Sequence, residues 1–127
     1  MTSILGAFNN HFLEFIEDLI LIFPNDNEIK TLKTAFSTLK SVNPKAVVKI
    51  WSKYILKYRK EIEEGDISFF INKNYDDDLT QSSKKDDVAK IIQRLRKPVQ
   101  IMSQSNQDKA MKYIQNLTKI CVLYNSS

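Results

Sequence analysis

Few residues in this chain have types and spacing suited to chemistry. His11 is the only histidine among 127 residues, and Glu14 and Asp18 follow three and seven positions later, on one side of a helix. The trio has the look of a metal triplet. Carboxylate-bridged metal centres in bundles, however, draw such ligands from several facing helices, and no second histidine exists to supply one. The trio therefore reads first as an exposed polar face. A Ser–His or Cys–His nucleophile would also have to recruit His11. The single cysteine, Cys121, falls on an apolar stripe, where a thiol behaves as a small hydrophobe. Asp76, Asp77 and Asp78 lack the alternating ligands, central glycine and terminal glutamate of a calcium loop, and read as a solvated turn. Gly6 and Gly65 are the only glycines, which leaves no material for a phosphate-cradling loop and excludes nucleotide-hydrolysing chemistry. The expectation is a chain that is not an enzyme and holds no metal or cofactor.

Basic residues offer more. Lys45, Lys49, Lys53 and Lys57 recur every fourth position and, with Lys60, form a ribbon along one side of a helix, opposite Trp51 and Tyr54. Residues 43–60 hold six basic and no acidic groups, and residues 88–127 hold seven basic and one acidic, so each segment sums to +6. The first 42 residues sum to −2 and residues 61–87 to −6, which leaves the chain at +4. A solvated face neutralised by the acidic stretch is the plain reading of the ribbon. The alternative is a sequence-indifferent, salt-sensitive contact with nucleic-acid phosphates, for which lysine suffices where base reading would call for arginine. Candidate nucleic-acid or anion-binding residues are Lys45, Lys49, Lys53, Lys57, Lys60, Arg94 and Lys97, with Arg96, Lys109 and Lys112 in support. Trp51, Tyr54 and Tyr58 could form a stacking platform, but their helical spacing makes them core residues first.

The elements that must position these groups are helical. An all-β domain of this length would need far more than two glycines and three prolines for its turns. Leu5, Phe8, Phe12, Phe15, Ile16, Leu19 and Phe23 line one side of a helix from Ile4 to Phe23, and Pro24 stops it. Asp26 or Asn27 caps a second helix with Ile29, Leu32, Phe36 and Leu39 inward. Asn43 and Pro44 predict the start of a third, which carries Val47, Val48, Ile50, Trp51, Tyr54, Ile55, Tyr58 and Ile62 and ends at a left-handed Gly65. Ile67 to Ile71 reads as one or two helical turns and residues 72–87 as an acidic loop. Val88, Ile91, Ile92, Leu95, Val99 and Met102 keep helical spacing through Pro98, which should kink or split their helix. Asn106 opens the last helix, with Met111, Ile114, Leu117, Cys121 and Tyr124 as its stripe. The fold class expected is all-α, a single compact bundle of five to six helices over residues 1–127.

A lone cysteine closes no internal disulfide, which suits a reducing cytoplasm. No secretory signal pattern opens the chain, and the most apolar run, Leu19 to Phe23, is far short of a membrane span. Leu21 should project from the acidic side of the first helix and Leu56 from within the lysine ribbon. With Ile20 and Ile22 they suggest an apolar surface for a homodimer or a host-protein contact.

The stretches KIWSKYILKYRKEIEEGDISFFINKNYDDDL (49–79) and KAMKYIQNLTKICVLY (109–124), with the opening FNNHFLEFIEDL and the turn at Pro24 to Asp26, resemble a group of small proteins encoded by nucleocytoplasmic large DNA viruses, the giant viruses. The resemblance implies context and no residue roles: a viral protein acting in host cytoplasm or packaged in the virion. The function expected is a non-enzymatic interaction module that binds a viral or host protein through helical surfaces, with nucleic-acid binding or a minor virion role as alternatives.

Overall fold

A computed structural model describes residues 3–66 and 98–126, apart from the Tyr54 side chain. Every regular element among them is helical, and the fold is an all-α bundle. Helix α1 (Ile4–Ile22) starts where Ser3 accepts the Gly6 amide on its hydroxyl at 2.9 Å. Helix α2 (Asn27–Val42) starts at Asp26, whose carboxylate accepts the amides of Glu28 and Ile29 at 2.9 and 3.3 Å. Each cap satisfies amides that the first helical turn leaves without partners.

Expectation and structure part at Asn43. Its side chain caps nothing; its amide instead donates to the Leu39 carbonyl at 2.7 Å and closes α2, while its own carbonyl accepts from Ala46 at 3.1 Å. The next helix therefore begins two residues after Pro44, as α3 (Ala46–Ile50). A tertiary contact pins this turn: the Asn9 side chain, buried in α1, donates to the Pro44 carbonyl at 2.9 Å. An asparagine on the apolar side of α1 thereby trades its buried polar cost for an anchor between helices.

The regular third helix expected from the spacing is also broken up. After α3 the chain widens into a π turn (Trp51–Ile55), in which the Leu56 amide reaches the Trp51 carbonyl five residues back. It then tightens into a 3-10 turn (Leu56–Tyr58) and relaxes into α4 (Arg59–Glu63). Gly65, at φ 78°, ends the run. Its amide donates to Ile62 at 3.0 Å and that of Asp66 to Glu61 at 2.9 Å, the paired bonds of a left-handed glycine stop.

Residues 98–100 are helical, and amides of Ile101 and Met102 fold back onto Pro98 and Val99. Helix α5 (Gln104–Ser126) follows. It starts two residues before Asn106 because Ser103 accepts the Asn106 amide on its hydroxyl at 3.3 Å and that of Gln107 on its carbonyl at 2.9 Å. The expected turns at 67–71, the acidic loop at 72–87 and the helix from Val88 to Leu95 lie outside the described residues.

Helix α1 is the hub, packed against α2, α3 and α5. Phe8, Phe12, Phe15, Ile16 and Leu19 are fully buried along it, so the three-and-four spacing corresponds to its core face. Trp51 meets the edges of Phe8 and Phe12 at centroid distances of 6.0 and 6.3 Å, and Phe12 meets Phe36 of α2 at 4.8 Å. Among the described residues no helix is long and apolar enough to cross a membrane.

Candidate functional site

Three surfaces carry groups that could bind a partner or do chemistry. The lysine ribbon is the first. Lys45, Lys49, Lys53, Lys57 and Lys60 are all exposed. In a regular α-helix of 3.6 residues per turn, a four-residue repeat drifts by about 40° at each step and would wind away from one side. The wider π turn at Trp51–Ile55 acts against that drift, and the tighter 3-10 turn at Leu56–Tyr58 adds to it. Lys57 places its ammonium 5.4 Å from the centre of the Tyr58 ring. Among the described residues Lys45, Lys49 and Lys60 make no ion pair. Arg94, Arg96 and Lys97 lie outside the described residues. The lysines of α5 divide between two other surfaces: Lys109 and Lys112 face α1, and Lys119 faces α4 beside Arg59.

Trp51 belongs to the core, as its spacing implied. It is fully buried, and its indole N–H donates to the Thr118 hydroxyl at 3.1 Å, which in turn donates to the Ile114 carbonyl at 2.8 Å. Tyr58 is half-buried against the same core. Cys121 is fully buried, with its sulfur 3.8 Å from the Val48 carbonyl. Burial pushes its thiol up to about 11, against a smaller opposing effect of a hydrogen bond with Ser52. A thiol held protonated and out of solvent is a poor nucleophile.

The second surface is a groove of about 410 Å³ between α4 and α5. Ile62, Thr118, Val122 and Leu123 give it an apolar lining, and Arg59, Glu63, Gln115 and Lys119 are its polar residues. Arg59 and Glu63 pair at 3.0 Å one turn apart, and Gln115 donates to the Ile62 carbonyl at 3.0 Å, tying the helices together at the groove. Among the described residues Lys119 makes no ion pair. Leu123 is 58 % exposed. Of the apolar residues expected on the surface, Leu21 is 80 % exposed, but Leu56, Ile20 and Ile22 are half-buried. Ile20 and Ile22 pack onto the core, and Leu56 sits where the 3-10 turn changes the helical pitch. Val42 and Ile101 are exposed instead.

The third surface is a polar cleft of about 410 Å³ between α1 and α5. His11, Glu14 and Asp18 line it from α1, and Lys109, Lys112, Tyr113 and Asn116 from α5. His11 is thus no freely exposed polar residue: its Nδ1 lies 3.5 Å from Glu14 and its ring 5.0 Å from that of Tyr113. Its Nε2 is buried with no hydrogen-bond partner among the described residues. Tyr113 stacks on Phe15 at 5.1 Å, nearly parallel. Burial, then the negative charges of Asp18 and Glu14, raise its phenol above the ordinary value and hold it protonated at neutral pH. Among the described residues no group of three or more His, Cys, Asp or Glu side chains could hold a metal ion.

No family model, curated protein or solved structure matches the chain. Sequence reasoning missed Tyr113 and Asn116, although they share helical spacing with Lys109 and Lys112. Their placement opposite His11 depends on how α1 and α5 meet, for which one helix's periodicity carries no signal. It also missed Lys119 as a neighbour of Arg59, for the same reason.

Proposed function

We propose that this chain is a non-enzymatic interaction module that binds a protein partner, viral or host, through its helical surfaces. The observation carrying this reading is the groove between α4 and α5, where Leu123 is 58 % exposed beside Ile62 and Val122. Apolar side chains grouped in a concavity with charges at its edge offer the anchor-and-rim arrangement that protein partners use. The resemblance to giant-virus proteins supports a role in infected-cell cytoplasm or in the virion. The buried, protonated Cys121 supports the non-enzymatic part, since it removes the chain's one thiol from service as a nucleophile.

Affinity capture from nuclease-treated host extract, with Leu123→Asp as the comparison, tests the reading. The expected result is a stoichiometric partner held by the parent chain and lost by the variant. A partner held equally by both removes the groove from the argument.

The second reading, sequence-indifferent binding of nucleic acid along the lysine ribbon, draws on the exposure of all five lysines over a single helical run. It predicts capture that nuclease abolishes and that Leu123→Asp leaves intact.

A further inference from the structure

The cleft between α1 and α5 has walls of opposite charge that do not meet. Glu14 and Asp18 stand on one helix; Lys109 and Lys112 stand on the other. Among the described residues the one such contact these four make is that of Glu14 with His11 within α1, and no ion pair crosses the cleft. Two carboxylates and two ammonium groups around one cavity would ordinarily close on each other. Here the rings of His11 and Tyr113, 5.0 Å apart and braced by Phe15, stand between the helices and keep them apart. A gap flanked by opposite charges favours a molecule that carries both signs, because either end alone would meet a repelling wall as well as an attracting one.

We propose that this cleft binds a small zwitterion, its ammonium end against Glu14 and Asp18 and its anionic end against Lys109 and Lys112. Volumes of this size accommodate small ligands. The rings of His11 and Tyr113 supply an apolar wall for the short chain that joins the two charges. The protonated Tyr113 phenol and the Asn116 amide add hydrogen-bonding groups from α5. The site is separate from the groove of the preceding section and does not depend on a protein partner.

O-phosphoethanolamine is a suitable probe, with inorganic phosphate and ethanolamine as its two halves. Titration of the full chain, followed by the side-chain NMR signals of His11 and Tyr113, should show saturable shifts for the whole molecule. Each half should bind at least about fivefold more weakly, since each loses one exposed charge contact. Asp18→Asn and Lys112→Gln should each weaken binding by a similar factor while the helical circular dichroism and the unfolding midpoint stay unchanged. Phosphate binding as tightly as the zwitterion would overturn the proposal in favour of a plain anion contact. So would the absence of saturable shifts, or variants that bind as tightly as the parent chain.

Discussion

At the scale of single residues, the core is held by a few polar contacts placed among rings. Trp51 brings an N–H into the interior, where an unmet donor costs about 1–3 kcal/mol. The Thr118 hydroxyl accepts from it at 3.1 Å and donates in turn to the Ile114 carbonyl. Thr118→Val keeps the shape and removes the acceptor, so urea unfolding should show a loss of about 1–3 kcal/mol. Thr118→Ser, which keeps the hydroxyl, should lose clearly less. Cys121 makes a pH prediction. Its folded-state pKa lies above the ordinary 9.0, near about 11, so folding favours the thiol over the thiolate. That contribution is fully present below pH 9.0 and is lost as pH rises through about 11. Unfolding midpoints should therefore fall across this window, and Cys121→Ala should flatten part of the fall. Tyr113, whose phenol is also raised, keeps a residual slope of the same sign in that variant.

Among the elements, the third helical run departs furthest from regularity. Its α, π, 3-10 and α turns follow one another within residues 46–63. They allow Trp51, Ile55 and Ile62 to be buried while all the lysines between Lys45 and Lys60 stay exposed. The run ends at Gly65, where, among the described residues, an added Cβ would have only the Gln115 amide nitrogen near it, at 3.9 Å. Space is thus no obstacle there; the backbone is. Gly65→Ala should cost about 1–2 kcal/mol through the left-handed conformation alone. Gly65→Asn should recover part of it, since asparagine tolerates that region better. Both are read from thermal or urea unfolding. At the other ends, Asp26 and Ser103 hold the starts of α2 and α5. Asp26→Ala should lower stability by about 1 kcal/mol in the same assay.

For the whole molecule, the question raised by the charge pattern was whether the two basic segments converge. Among the described residues they do not form one block. Lys109 and Lys112 stand opposite Glu14 and Asp18, and Lys119 stands beside the paired Arg59 and Glu63. Among the described residues the basic field that a phosphate backbone could meet is that of the ribbon, and any affinity from it should weaken linearly in log salt. Fluorescence anisotropy of a labelled duplex at several salt concentrations checks this. Lys49→Glu with Lys53→Glu should abolish any binding and leave the helical signal intact. Binding that survives the double reversal would shift attention away from the third helical run.

Much of this arrangement was legible before the fold was known, because it depends on local periodicity. The face of α1 from Phe8 to Leu19, the Asp26 cap, the glycine stop at Gly65 and the core placement of Trp51 all follow from spacing and backbone preference within a few residues. The starts of α3 and α5 did not follow. Asn43 has an intrinsic preference for capping, but the bond from Asn9 to Pro44 comes from a different helix, and Ser103 competes with Asn106 from three residues upstream. The candidate sites were the least legible. His11, Glu14 and Asp18 read as one helix's polar face; only the packing of α5 makes them a wall opposite Lys109, Lys112 and Tyr113. Sequence alone determined which residues each helix turns inward, since that depends on a 3.6-residue period written in the chain. Tertiary structure decided which outward residues face one another, since interhelical pairing is set by how ring-filled surfaces pack and not by any one helix's order.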